Sequence, residues 1–174
     1  MKKILDTERL ILREFTLDDA QKLIDLNNNP NVVRYTGDGP VESHEKALKI
    51  IQNIILPQYP NKLGRWAVHL KSDHTFIGWC GLKYIAELDE IDLGYRFFEH
   101  HWRKGYATES SKAVLAYGFN TLQLKELVAR AAIENINSIR VLEKVGFTFE
   151  KAAIEHGDKI YKYRLTNTQY KTLF

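Results

Sequence analysis

Between residues 90 and 122 the chain changes its apolar period from two to about 3.6 across one short basic junction, and no other feature limits the fold as much. Before the junction, Ile91, Leu93, Tyr95 and Phe97 alternate with Glu90, Asp92, Gly94 and Arg96, as a strand with one apolar face requires. After it, Ala107, Ser111, Val114, Leu115, Gly118 and Leu122 form one stripe of a helix. The junction reads Trp102-Arg103-Lys104-Gly105-Tyr106-Ala107-Thr108-Glu109. A strand that feeds directly into a helix start points to a domain in which sheet and helix share one core.

The rest of the chain supplies the other elements. Residues 9–15 read as a strand, with Leu10, Leu12 and Glu14 on one face and Ile11, Arg13 and Phe15 on the other. Thr16 or Asp18 caps a helix through Ala20, Leu23, Ile24 and Leu26, which ends in Asn27-Asn28-Asn29-Pro30 because the residue before proline avoids helical geometry. After the loop Gly37-Asp38-Gly39-Pro40, Ser43 caps a second helix through Ala47, Leu48, Ile51, Ile54 and Ile55, ending near Pro57. Residues 66–70 and 76–85 read as strands, and residues 127–133, apolar apart from Arg130, as a strand buried on both faces. Residues 138–144 form a short helix that stops at Gly146. Residues 147–154 and 159–165 pair around His156-Gly157-Asp158. The order β-α-α-β-β-β-α-β-α-β-β describes an α+β (mixed α/β) domain and not a doubly wound Rossmann sheet. With no repeat, low-complexity stretch or linker, residues 1–174 read as one domain.

Composition narrows the function classes. At 44% hydrophobic and 27% charged residues the 174-residue chain has ordinary globular composition, and no apolar run approaches the ~20 residues of a membrane span. Asp6 and Glu8 interrupt what Met1-Lys2-Lys3 begins, so export is not expected and a cytoplasmic domain is. A net charge of +3, from scattered basic residues, argues against nucleic acid. The single cysteine, Cys80, excludes an internal disulfide and a thiolate metal cage.

Chemistry concentrates at the junction. The first N–H groups of a helix have no intrahelical partner and carry the positive end of its dipole. Gly105 allows close backbone approach, and Arg103 and Lys104 add charge, so the segment fits a pyrophosphate as well as a plain glycine turn. It has neither the Gly-Lys-Ser/Thr ending of a Walker loop nor the spacing of a dinucleotide fingerprint.

Three blocks together, Asp92-Leu93-Gly94-Tyr95, the junction itself, and Asn135-Ile136-Asn137-Ser138-Ile139-Arg140-Val141-Leu142-Glu143-Lys144-Val145-Gly146-Phe147, resemble the GNAT acetyltransferases. They are most similar to the branch of RimJ/RimL-type ribosomal-protein N-terminal acetyltransferases, whose first strand and helix the opening Thr7-Glu8-Arg9-Leu10-Ile11-Leu12-Arg13 with Asp18-Asp19-Ala20 also resembles. The resemblance covers nearly the whole chain. It implies a twisted mixed sheet of about seven strands flanked by about four helices, with two central parallel strands that splay apart around acetyl-CoA. It implies transfer of an acetyl group to a primary amine, a protein N-terminus or a small molecule, with no metal. By the same resemblance, backbone groups near Phe97 and Phe98 bond the pantetheine arm, and Arg103, Lys104, Gly105, Tyr106, Ala107 and Thr108 cradle the pyrophosphate. Asn135 and Ser138 lie beside the pantetheine and its sulfur.

The sequence departs from the family in two places. Trp102 stands where the general loop has Gln or Arg, and Leu142 stands where many members carry the tyrosine that protonates the leaving thiolate, which leaves Ser138 as the candidate acid. The attacking amine must lose a proton. Asp92 matches the acidic position of the branch and Glu90 shares its face; Asp92, Glu90 or water alone is the base, and the bland alternative is that either carboxylate only pairs with Arg96. Cys80, inside an apolar strand, reads as inert core, and His100 with His101 face opposite ways if extended. Tyr35 and Trp79 are candidates for an acceptor pocket. The rival readings are an acyl-CoA-binding sensor of the same fold and a nucleic-acid module using Arg103, Lys104 and Arg140. Homodimerisation is left open.

Overall fold

Every strand read from the sequence is present in the computed structural model, which describes residues 2–174. The alternating segment is β5 (Glu90–Phe97), and around it lie β1 (Lys3–Asp6), β2 (Leu10–Arg13), β3 (Gly64–Leu70), β4 (Phe76–Ile85), β6 (Glu126–Ala132), β7 (Thr148–Glu155) and β8 (Asp158–Thr166). They form one eight-stranded sheet in the order β1-β2-β3-β4-β5-β6-β8-β7. Each neighbouring pair is antiparallel except β5 with β6, which are parallel and whose register is confined to Asp92 opposite Val128 and Leu93 opposite Ala129. The expected splay therefore opens immediately beyond Leu93. This is the splayed mixed sheet that the resemblance to the GNAT acetyltransferases implies, with eight strands where about seven are expected.

Six helices cover the sheet: α1 (Ala20–Asn27), α2 (Pro30–Val33), α3 (His44–Ile50), α4 (Tyr106–Ala116), α5 (Ile136–Lys144) and α6 (Asn167–Leu173). On one face Val114 and Leu115 of α4 and Ile139 and Leu142 of α5 are buried with Leu93, Phe97, Leu127 and Ala129. On the other, Ala20, Leu23, Ala47 and Ile51 pack with Phe15 and Ala67. The period of two thus sends Leu93, Tyr95 and Phe97 toward α4 and α5, and Asp92, Gly94 and Arg96 toward α1 and α3.

Several sequence boundaries move. Strand β1 and helix α6 are additional, and so is α2, a single turn capped by the Asn29 side chain, which accepts from the Asn31 N–H. The first helix starts through a turn over Leu17–Asp19, where Thr16 and Asp19 form a capping box. Helix α5 starts at Ile136 and not at Ser138, because the Asn135 side chain accepts from the Ser138 N–H at 3.2 Å. His100 and His101 are not extended: they sit in a tight turn over Glu99–His101 with their rings 4.2 Å apart. Among the described residues no group of three His, Cys, Asp or Glu is placed to hold a metal ion, and no helix is long and apolar enough to cross a membrane. Cys80 is buried, and burial pushes its thiol up to about 11, so it is not a nucleophile near neutral pH.

The start of α1 is fastened to β2 by a buried ion pair. Arg13 Nη1 and Nη2 grip the two Asp19 oxygens at 2.6 and 2.7 Å, Lys22 adds a bond at 2.8 Å, and the Thr16 N–H one at 2.9 Å. Burial alone would raise the Asp19 carboxyl; these donors outweigh it and hold the group well below the usual carboxylate range.

Candidate functional site

The ligand end of the site is a backbone construction. By helix geometry the N–H groups of Tyr106, Ala107 and Thr108 at the start of α4 have no intrahelical acceptor. They are turned outward by two left-handed residues, Arg103 (φ +59°) and Gly105 (φ +83°), and the side chains of Arg103 and Lys104 are exposed beside them. The loop is fastened to the start of β2. Glu109 accepts from Thr7 Oγ1 at 2.6 Å, from the Arg9 N–H at 2.9 Å and from Arg9 Nε at 2.6 Å. Arg9 also donates to the Lys104 carbonyl at 3.0 Å and lies 4.6 Å over the Tyr106 ring. Burial pushes the Glu109 carboxyl up, but the bonds from Thr7 and Arg9 leave it below its ordinary value. Two distant blocks of the sequence resemblance, the opening Thr7-Glu8-Arg9 and the glycine loop, are therefore one structural unit. Their contact was not foreseen from the sequence.

Above this loop the edge of β5 is only partly open. The Phe98 N–H donates to the Ile77 carbonyl at 3.1 Å and so faces β4. The Phe97 carbonyl accepts from Trp102 Nε1 at 2.8 Å, which gives the unusual Trp102 a role in holding the strand end. Since backbone groups alternate along a strand, the N–H groups of Tyr95 and Phe97 face the gap toward β6. Of the groups expected near Phe97 and Phe98, two already have partners, and the free edge shifts back toward Tyr95.

At the splay a cleft of about 550 Å³ passes through the sheet. On the α5 side it is lined by Tyr95, Ser138, Asn135 and Leu142. Tyr95 Oη lies 2.9 Å from Ser138 Oγ, and burial raises the Tyr95 phenol above its ordinary value. Leu142 is buried against this pair and offers no proton. Tyr95 was read only as one of four apolar-face residues; the hydroxyl it carries at the point where the strands part is the signal that sequence reading passed over. Asn135 is engaged as a helix cap through its carbonyl, which leaves its amide N–H groups available.

The other mouth is built of charged side chains. Asp92 does not pair with Arg96. Its Oδ2 accepts from Arg65 Nη2 at 2.7 Å and its Oδ1 from Arg130 Nη1 at 3.2 Å. Glu90 turns along the sheet to Arg130 of β6 and to Lys162 and Arg164 of β8; burial would raise it, and these partners hold it lower. Arg65 lies directly on Gly94, where a Cβ would come within 2.7 Å of its guanidinium carbon, so any larger residue would push the guanidinium from its present place. Arg96 reaches instead to Asn27 and Asp38. Trp79 sits between Arg65 and Arg96, with the two guanidinium carbons 5.2 and 5.5 Å from its ring. Tyr35, Trp79 and Asp38 line this mouth, and so do His156 and Asp158 of the β7–β8 turn. The structure thus brings together Asp92, Ser138 and Asn135 in one cleft. Phe97, Phe98 and residues 103–108 lie beyond it along the strand end and helix start.

Comparison with known proteins agrees with this geometry. Residues 9–148 match the family described as acetyltransferase (GNAT) domain. An uncharacterized N-acetyltransferase of Bacillus subtilis, YoaA, is 36% identical over 152 residues, covering 86% of this chain and 85% of its own. A spermidine N(1)-acetyltransferase of Vibrio cholerae is 27% identical over 154 residues, with 84% and 83% covered. The crystal structure of a GNAT-family acetyltransferase from Bacillus anthracis superposes with a TM-score of 0.79 at 26% identity, over 94% of this chain and 98% of that one.

Proposed function

Because the chain belongs to the acetyltransferase (GNAT) family, we propose that it moves an acetyl group from acetyl-CoA to a primary amine by direct attack, with the proton path running through Asp92 on one side of the sheet and Ser138 on the other. It is an N-acetyltransferase that uses acyl-CoA. One observation carries the finer reading: β5 and β6 part at Leu93 and Ala129, and a hydroxyl pair on one face of the sheet and a carboxylate on the other line the same cleft.

The residues present fit the cofactor. The N–H groups of Tyr106, Ala107 and Thr108, with Arg103, Lys104 and the close approach at Gly105, suit the pyrophosphate; the edge of β5 at Tyr95 and Phe97 suits the amide-bearing arm, and Asn135 lies beside it. When bound, acetyl-CoA supplies a thioester carbon for the amine to attack. Asp92 accepts the amine proton through water, since each of its oxygens holds one guanidinium bond and keeps a further lone pair. Ser138 Oγ, backed by Tyr95 Oη, delivers a proton to the leaving sulfur in place of the absent tyrosine at Leu142.

The opening Thr7-Glu8-Arg9 stretch supports the RimJ/RimL-like branch and a protein N-terminal amine, while the spermidine N(1)-acetyltransferase relative supports a small-molecule amine. The test is a CoA-release screen over N-terminal peptides, polyamines and aminoglycosides. Release with at least one class is expected. Acetyl-CoA binding with no release on any of them would return the chain to the acyl-CoA-sensor reading.

A further inference from the structure

On the acceptor mouth, Arg96 is the cation with the loosest partnership. Its side chain is 11% exposed, whereas that of its counterion Asp38 is 62% exposed, on a loop between Gly37 (φ +71°) and Gly39 (φ +64°). Arg96 Nη2 reaches the two Asp38 oxygens only at 3.2 Å each, Nη1 is fixed by Asn27 of α1, and Nε is buried with no partner among the described residues. The other two arginines of the cleft are occupied. Arg65 holds Asp92 and the carbonyls of Gly81 and Asp92, and Arg130 holds Glu90, Asp92 and Glu155. The Asp38 loop is open on one side, since a Cβ at Gly39 would meet nothing within 4 Å, while on the other Gly37 lies against Asp158 and Thr36 Oγ1 donates to Asp38 Oδ1.

A guanidinium removed from water needs an anion, and a planar fork suits a carboxylate. Here the fork is fixed from behind by Asn27 and by the Trp79 face, while the anion in front sits on an exposed glycine-flanked loop. We propose that the acceptor is an amine that also carries a carboxylate, and that this carboxylate displaces Asp38 from Arg96. The proposal rests on the acetyltransfer reading of the cleft and adds the chemical class of the acceptor. Of the carboxylates at this mouth, Asp92 and Glu155 are already paired with arginines; Asp158, beside Gly37, is the one without a cation among the described residues, and the diamine in the test below measures what it offers a second amine.

Matched amines test it in a CoA-release assay: 4-aminobutanoate against 1,4-diaminobutane, and leucine against leucinamide. In each pair the carboxylate member should show a kcat/KM about tenfold higher, the size of a charge-assisted hydrogen bond. Arg96→Lys keeps the charge and loses the fork, so the ratio should fall toward one. Asp38→Asn weakens the internal competitor on an exposed loop and should lower KM for the carboxylate amine roughly threefold. A rise in Tm with acetyl-CoA reports that each variant is folded; should Arg96→Lys fail to fold, the wild-type ratio and Asp38→Asn decide. The proposal is overturned if the wild-type enzyme prefers the diamine or the amide, if folded Arg96→Lys keeps the ratio, or if Asp38→Asn leaves KM unchanged. CoA release without a carboxylate preference sinks this proposal alone. No release with any amine sinks the acetyltransfer reading beneath it.

Discussion

The two faces of β5 are built by different means. Toward α4 and α5 the site is largely backbone: the edge of the strand, two left-handed loop residues and a helix start, nearly all within residues 95–108. Toward α1 and α3 it is a set of side chains drawn from remote segments, Asn27, Asp38, Arg65, Trp79, Asp92, Arg96 and Arg130. Backbone donors present the same groups whatever side chains surround them, which suits a ligand shared by a whole family. A side-chain constellation changes with single substitutions, which suits an acceptor that differs between relatives.

The largest effect should come from the fastening of the acceptor face. Asp19→Asn leaves Arg13 buried without its counterion and should cost about 3 kcal/mol of stability, read by chemical denaturation at pH 7. Because the folded carboxyl is depressed, its contribution is complete above its unfolded value near ~3.9 and drains away as pH falls below it. The gap between wild type and variant should therefore close on acidification through that range; a gap that stays constant would remove Asp19 from the account.

Gly105→Asp breaks the other face. It puts a Cβ 3.3 Å from Arg9 Nη2, in a left-handed backbone, and adds negative charge at the helix start. Affinity for acetyl-CoA, measured by calorimetry, should fall about 10²-fold, with Tm lowered only by the strain of a side chain in the left-handed backbone. Unchanged affinity would take the loop out of the site.

Asp92→Asn tests where the two faces meet and should lower turnover by roughly 10²-fold. The loss should shrink as pH rises, because more acceptor amine is then neutral in solution. It should also lower Tm, as two guanidiniums lose their shared anion; a lower Tm with full turnover per folded molecule would make Asp92 a structural clasp only.

Ser138→Ala carries the smallest expected effect, about tenfold in kcat with acetyl-CoA affinity retained, because Tyr95 remains 2.9 Å behind the lost hydroxyl. Tyr95→Phe combined with Ser138→Ala should lose more than either alone. Additive losses would mean that the two hydroxyls do not act as a pair.

Legibility followed the same division. The strand-to-helix switch at residues 90–122, the Ser43 cap and the Gly146 stop were readable because each is a local preference expressed within one turn or one strand. Strand β1 was missed because four residues, two of them charged, hold too little pattern; α6 opens with a capping box at Thr166 and Gln169 that was readable and went unread. The face that Asp92 occupies is legible in the sequence; its partners are not. Arg96, four residues on along the same face, is the cation that strand alternation offers, but β3 lays Arg65 over Gly94 between them and takes the carboxylate first.

Sequence alone determined the order of the elements from β2 to β8 other than the single turn α2, the face of β5 on which each residue lies, and the glycine-bearing helix start, because periodicity and backbone preference act over short separations. Only tertiary structure decided that the β5–β6 ladder stops at Leu93, that Tyr95 meets Ser138, and that Thr7 and Arg9 bind Glu109 a hundred residues away. It also decided that Arg96 faces a counterion on an exposed loop. Such pairings depend on which strands lie side by side, and a charge takes whichever partner the packed core brings within reach.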